Sequence, residues 1–89
     1  MPKPTNAKIH QMVYGLAAYV TAKQKQTNNW TAKTVLGTGG CGMDSITLLA
    51  YRSLLNDFID DFTSNTLQIG ELNSGTTLGD TEAKVRAKF

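Results

Sequence analysis

Apolar residues recur at steps of three and four in two long stretches of the chain, which predicts two amphipathic helices. The first stretch follows Pro4, and its stripe consists of Ile9, Met12, Val13, Leu16 and Val20. We predict a helix over about residues 6–25, with Thr5 or Asn6 as the N-cap that accepts a hydrogen bond from an exposed backbone amide.

The second stretch has the strongest pattern in the chain and predicts a helix over about residues 45–64, capped by Asp44 or Ser45. Its stripe consists of Leu48, Tyr51, Leu55, Phe58 and Phe62. Further apolar residues widen this face, namely Ile46, Leu49, Leu54 and Ile59. Because the face is too wide for contact with one neighbouring helix, it either lies at the centre of the domain or is shared with a second chain.

The region between these stretches predicts a short element followed by a turn. Thr31 can cap a short helix over 31–36, with Trp30 and Val35 as a hydrophobic staple, and a short strand over 34–36 is the alternative. Residues 37–42 contain four glycines in six positions. Such flexible backbone is costly to fix in regular structure, so a turn is expected there.

The pattern weakens after Asn65, the expected end of the second helix. Residues 66–79 predict either a short β-hairpin or an irregular loop, and residues 81–89 predict a short helix capped by Asp80 or Thr81. We therefore expect an all-α or nearly all-α fold: a small bundle of two long antiparallel helices plus short helical elements, with a possible C-terminal β-hairpin. With 89 residues, the chain has room for a single domain over residues 1–89.

The composition is that of a globular protein, with 40% hydrophobic and 18% charged residues. Charged residues are segregated along the chain. The first 43 residues contain five lysines and no acidic residue, whereas residues 44–73 contain five acidic residues and one arginine. This predicts a basic nucleic-acid face, an acidic docking face, or attraction between the two halves of one fold, and we favour the last.

The single cysteine, Cys41, and the single histidine, His10, exclude an intramolecular disulfide and a Cys/His zinc site. We expect a reducing, cytoplasmic location. Residues 12–22 resemble a signal peptide less than they resemble a helix. No run approaches the roughly 18 consecutive apolar residues that cross a bilayer, so no membrane contact is expected.

Three patterns are candidates for chemistry: the glycine spacing, the pair of Cys41 and His10, and a group of aspartates. We interpret each of them as structural. Gly37, Gly39 and Gly42 match the spacing of a dinucleotide-binding loop, but the chain has no further βαβ unit to build that fold. Cys41 precedes a helix N-terminus, where a thiol can become reactive, but His10 is the only histidine that could act as its base. We therefore expect no catalytic residue, cofactor or metal.

The acidic residues Asp57, Asp60 and Asp61 share a predicted helix face and could be metal ligands, but the other ligands of a Ca²⁺ or Mg²⁺ site are missing. A solvated acidic face is the simpler interpretation, and as a functional element it would be a docking patch for a basic surface.

For function, the sequence predicts a small non-enzymatic protein-protein interaction module, acting on a protein partner or on itself as a homo-oligomer. Its predicted contact residues are an apolar set and an acidic rim: Leu54, Phe58, Ile59, Phe62, Asp57, Asp60 and Asp61. The size and the threonine and asparagine content would suit an accessory or inhibitor protein of a phage or mobile element. No motif is specific enough to suggest a family.

The alternative is a nucleic-acid-binding protein that uses its basic N-terminal half. Lysines can contact phosphates while an aromatic ring stacks on a base, and the candidate residues are Lys23, Lys25, Trp30 and Lys33. No arginine precedes Arg52, so such binding would be weakly selective for sequence.

Overall fold

The computed structural model describes residues 3–22 and 29–89, which form three α-helices: α1 (Asn6–Thr21), α2 (Ser45–Asp60) and α3 (Leu78–Arg86). The described residues contain no strand, and their one β-type contact is an isolated bridge between Val35 and Thr77. The predicted class, a largely helical fold, is confirmed. The antiparallel arrangement of the two long helices stays a prediction.

Helix α1 begins where predicted and ends earlier than predicted. The Thr5 hydroxyl accepts a hydrogen bond from the Lys8 amide at 3.1 Å and so caps the first turn. The helix ends at Thr21 because Ala22 adopts a left-handed conformation, in which its amide bonds back to the carbonyls of Ala18 and Tyr19. Residues 23–25 of the predicted helix lie outside the described residues.

Helix α2 has Asp44 as its N-cap, whose carboxylate accepts a hydrogen bond from the Thr47 amide at 2.8 Å. The helix ends at Asp60 instead of about residue 64. Residues 61–63 still donate their amides to the carbonyls of Phe58 and Ile59, but as a closing turn and not as regular helix.

Helix α3 begins three residues before its predicted start, because Thr77 and not Asp80 or Thr81 is the N-cap. The Thr77 hydroxyl accepts from the Asp80 amide while the Asp80 carboxylate accepts from the Thr77 amide, which completes a capping box. Residues 76–78 therefore cannot form a hairpin with residues 66–72. They lie beside residues 34–36, where Leu36 donates to the Thr76 carbonyl and Leu78 donates to the Thr34 carbonyl, each at 2.8 Å.

The short helix over 31–36 and its hydrophobic staple do not form. Residues 31–34 make a turn, in which the Thr34 amide donates to the Thr31 carbonyl and the Thr31 amide donates to the Thr34 hydroxyl. Val35 then enters the bridge with Thr77, so the strand alternative is closer to the structure than the helix.

The glycine-rich residues 37–42 form a tight turn closed by their own backbone. Gly40 lies so near Val35 that a Cβ built on it would be 2.0 Å from the Val35 carbonyl oxygen. Only glycine fits at that approach.

One hydrophobic core joins all three helices to both long loops. Helix α1 packs against α2 and against α3. The loops contribute Leu36, Cys41, Leu67 and Leu72 to the same core. The fully buried side chains on the helices are Ile9, Val13, Ala17, Tyr51, Leu55, Ile59, Leu78, Thr81 and Val85.

Tyr51 crosses this core from α2 to α1. Its side chain is fully buried, and its hydroxyl donates to the Val13 carbonyl at 2.7 Å. Burial raises the pKa of the Tyr51 phenol well above its ordinary value, because the charged form would lose its hydration.

A polar contact on the surface also holds α3 on α1. The His10 ring stacks on Tyr14, with ring centroids 4.1 Å apart, and its Nδ1 lies 2.7 Å from the Glu82 carboxylate. Arg86 bonds both Glu82 and Asn6. Apart from the contact between His10 and Glu82, no ion pair among the described residues joins the basic N-terminal half to the rest of the chain. The predicted attraction between the two halves is therefore supported by few direct contacts.

Replacing Tyr51 by phenylalanine removes the hydroxyl that donates a buried hydrogen bond to the Val13 carbonyl. We expect Tyr51→Phe to lower the free energy of unfolding by about 1–2 kcal/mol, measured by urea denaturation. Tyr19→Phe is the matched control, since Tyr19 is 64% exposed, and it should change stability by less than about 0.5 kcal/mol. Equal effects of the two substitutions would contradict the buried hydrogen bond.

Alkaline pH should destabilise the protein through the same side chain. An unfolded tyrosine ionises near pH 10, whereas buried Tyr51 stays protonated above that pH, so unfolding releases a proton and stability falls as pH rises. Between pH 10 and 11 this contribution is about 1 kcal/mol. Tyr51→Phe should show a correspondingly shallower fall in urea midpoints, and identical slopes would refute the assignment.

Two glycines should respond in opposite directions to substitution by alanine. Gly15 is an exposed residue of helix α1, and a Cβ added to it would meet no atom within 4 Å, so Gly15→Ala should stabilise by about 0.5–1 kcal/mol. Gly40→Ala forces a Cβ into backbone and should destabilise by more than about 2 kcal/mol. Thermal unfolding followed by circular dichroism measures both, and a harmless Gly40→Ala would show that the turn is looser than described.

Candidate protein-binding surface

Four large apolar side chains are exposed among the described residues, and two of them lie on the N-terminal half of α2. The exposed fractions are 64% for Tyr19, 76% for Ile46, 53% for Leu49 and 81% for Ile69. Single exposed apolar residues are ordinary on protein surfaces, so the significance of these four depends on how they are grouped.

Leu49 and Ile69 stand on two sides of an open cleft of about 490 Å³, which we call the apolar cleft. The cleft lies between the N-terminal half of α2 and the loop over 69–74. Its apolar lining consists of Met43, Leu48, Leu49, Ile69 and Leu72, and its charged lining of Asp44 and Arg52. A volume of this size admits a small molecule or a few side chains of another protein.

A second concavity, of about 550 Å³, runs along another face of α2, and we call it the α1–α2 groove. Tyr19 and Val20 of α1 line it together with Ile46, Ala50 and Leu54 of α2. The N-terminal half of α2 is therefore a ridge between two concave surfaces, with Leu49 facing the cleft and Ile46 facing the groove.

Hydrogen bonds hold the loop that forms one wall of the apolar cleft. The Asn56 side chain forms hydrogen bonds with both backbone groups of Leu67. It accepts a hydrogen bond from the Leu67 amide at 2.7 Å and donates one to the Leu67 carbonyl at 3.2 Å. Glu71 accepts from the Gln68 amide and pairs with Lys88 at 3.1 Å. The Gln68 hydrogen bond, followed by the Lys88 contact, lowers the pKa of Glu71 and keeps it ionised. The wall that carries Ile69 is therefore fixed before any partner arrives.

The two charged residues of the cleft differ in how well they are satisfied. The hydrogen bond from the Thr47 amide lowers the pKa of Asp44, whose carboxylate already caps α2. Part-buried Arg52 donates from Nη1 to the Leu67 carbonyl at 3.3 Å, while its buried Nε has no acceptor. Arg52 thus has donor capacity that the described residues do not use.

The structure divides the predicted partner-binding residues among different environments. Phe58 and Ile59 are 7% and 0% exposed, so placing them on a contact surface is corrected: the protein's own core covers them. Phe62 packs edge to face on Phe58 and Phe89, with ring centroids 5.5 and 5.6 Å away. Leu54 is half-buried in the α1–α2 groove.

The predicted acidic rim is on the surface. The residues Asp57, Asp60 and Asp61 are exposed and form no ion pair with a described residue. They lie at the C-terminal end of α2, whereas Ile46 and Leu49, its exposed large apolar residues, lie at the N-terminal end. The rim and the exposed apolar surface are therefore at different ends of the helix.

The predicted nucleic-acid residues are only partly described. Lys23 and Lys25 lie outside the described residues, Trp30 is half-buried against the core, and Lys33 is exposed. Binding of nucleic acid through these residues stays a prediction.

The glycine-rich turn has few amides to offer a phosphate. Most of these amides already donate to carbonyl oxygens of the protein itself. The amides that do so belong to Gly37, Gly40, Cys41 and Gly42. The Asp44 carboxylate also occupies the N-terminus of the following helix. Both features disfavour the anion-binding interpretation of this loop.

The remaining candidates for chemistry are separate from one another. Cys41 is fully buried, whereas the side chain of His10 is 55% exposed and bonded to Glu82. Over the described ranges, no three residues of the types His, Cys, Asp and Glu are grouped to hold a metal ion. No helix in the same ranges has the length and apolar character needed to cross a membrane.

The predicted contact residues did not name Leu49, Ile69 or Arg52, which line the apolar cleft. Leu49 had a visible signal, since it belongs to the wide apolar face of the second stretch, but the pattern does not say which part of that face the core covers. In a β-hairpin over residues 66–79, Leu67 and Ile69 would lie on the same face, yet Leu67 is buried and Ile69 is 81% exposed.

Comparison of the chain with protein-family models, with curated proteins and with solved structures found no match. The functional interpretation therefore depends on the geometry of the surface alone.

Proposed function

We propose that this protein is a small non-enzymatic protein-interaction module whose contact surface is the apolar cleft and the adjoining ridge of α2. The observation that carries the proposal is the placement of Leu49 and Ile69, which expose 53% and 81% of their surface on two sides of a cleft of about 490 Å³. Grouped apolar exposure around a concave surface is typical of a site that another molecule covers.

The architecture supports binding over catalysis. Interaction sites combine apolar anchors with a polar rim, and the cleft has this composition, with Met43 and Leu72 buried at its base and Asn73 and Ser74 exposed at its edge. The candidates for nucleophilic chemistry, His10 and Cys41, line neither concavity, and the Asp44 carboxylate in the cleft already caps α2.

The partner in this proposal is another protein, with a second copy of the chain as the competing occupant. The apolar cleft buries little area by itself, and a stable complex needs roughly 600 Å² or more from each partner. Ridge residue Ile46 extends the apolar surface beyond the cleft toward the α1–α2 groove.

A peptide-display selection tests this function. Peptides selected on the wild-type protein should bind with micromolar Kd by fluorescence anisotropy, and the double variant Leu49→Ser/Ile69→Ser should weaken them more than about tenfold by removing apolar anchors. Both residues are exposed, so the double variant should keep the wild-type circular dichroism spectrum.

Tyr19→Ser is the matched control, since Tyr19 is 64% exposed but lies on α1, outside the apolar cleft and the ridge. It should change peptide affinity by less than about threefold. A selection without enrichment, or peptides that bind the double variant as well as wild type, would refute the proposal. Light scattering at low and high salt on the same samples reports self-association and any bound nucleic acid.

A further inference from the structure

The charge inside the apolar cleft indicates which chemistry the partner brings. Arg52 lines the cleft, lies partly buried and carries a permanent positive charge. All seven acidic residues of the chain lie within the described ranges, and none forms an ion pair with Arg52.

The guanidinium is also short of hydrogen-bond acceptors. Nη1 donates to the Leu67 carbonyl at 3.3 Å, a long contact, and Nε is buried with no acceptor. A buried donor without an acceptor is costly, and a cation without a counter-ion adds to that cost. The single contact with the Leu67 carbonyl offsets only part of this cost.

The other charged residue of the cleft restricts where a negative group can lie. Asp44 lines the cleft eight positions before Arg52 on the same helix, which corresponds to about 12 Å along the axis. A carboxylate of the partner would be repelled at the Asp44 end and attracted at the Arg52 end. Between the two charges the lining is apolar, with Leu48 and Leu49 on α2.

We propose that the apolar cleft binds a peptide segment of a partner protein in which apolar side chains lie next to an acidic residue, whose carboxylate pairs with Arg52. The apolar side chains lie between Leu49 and Ile69, and the carboxylate accepts from the Nη donors of Arg52 that the Leu67 carbonyl does not use. Arginine suits this role because its planar donors match a carboxylate. This inference rests on the proposed function and specifies the chemistry of its partner.

Two probe peptides that differ only in charge test the inference: acetyl-Leu-Leu-Glu-amide and acetyl-Leu-Leu-Gln-amide. Each is titrated into ¹⁵N-labelled protein, and amide shifts are followed at the cleft residues. The glutamate peptide should shift Leu48, Leu49, Arg52 and Ile69, and it should bind about tenfold more tightly than the glutamine peptide, as one charge-assisted hydrogen-bonded pair gives.

Variants of Arg52 locate that preference. Arg52→Gln should reduce the glutamate-over-glutamine ratio to about one, and Arg52→Lys, which keeps the charge and loses the planar donors, should retain part of it. Lys33→Gln is the matched control, since it removes an exposed cation that lies outside the cleft and should leave the ratio unchanged. If Arg52→Gln fails to fold, the affinity ratio of the wild-type protein and that of Arg52→Lys still test whether the carboxylate contacts Arg52.

Several outcomes would overturn the inference, and they separate it from the proposed function. Equal affinity of the two peptides at the cleft refutes the carboxylate contact and leaves a protein-binding cleft in place. A preference that persists in Arg52→Gln refutes the assignment to this residue. Tighter binding of sodium octanoate than of the glutamate peptide would identify a small apolar acid, and not a peptide, as the occupant.

Discussion

Two irregular segments, 29–44 and 61–77, connect the helices, and their backbone polar groups must find partners without the regular pattern of a helix. Some of these groups bond within their own segment, and others bond across to the other segment or to the start of α3. Leu36 and Leu78 donate across the gap to Thr76 and Thr34 at 2.8 Å, and Gly37 donates to Ser74 at 3.1 Å. The same contact fixes the start of α3, because Thr77 is both the bridge residue and the N-cap. The close approach of Gly40 to Val35 belongs to this arrangement as well.

The apolar cleft is a consequence of that pairing. It brings residues 69–74 beside the first turns of α2, and Asn56 fixes the preceding part of the loop through Leu67. Leu67 and Leu72 fill the core from this loop, so Ile69 between them remains outside. A site on a loop held at both ends loses little conformational freedom when it is occupied, which favours affinity per unit of buried area.

Among the described residues, Arg52 is a part-buried cation that forms no ion pair, whereas several carboxylates have partners. Glu82 is satisfied by His10 and Arg86, and Glu71 by Lys88 and the Gln68 amide. Asp44 and Asp80 accept hydrogen bonds at helix starts, where carboxylates also interact favourably with the helix dipole. Arg52 has no such partner, and it lies in the concave surface that also exposes Leu49 and Ile69. Apolar anchors beside a charge that lacks a counter-ion favour a partner with matching chemistry.

The sequence by itself determined the elements whose stability is local. The periodic stripes were enough to predict α1 and α2 and to narrow each N-cap to two adjacent residues, because caps and amphipathic faces depend on neighbours within one turn. Tertiary structure decided the rest. Contacts between segments far apart in the chain decide whether residues 76–78 pair with 66–72 or with 34–36. The same contacts decide which part of the wide α2 face stays exposed. Phe58 and Ile59 became core while Leu49 and Arg52 became the cleft, because a periodic pattern records that a face is apolar and not what covers it.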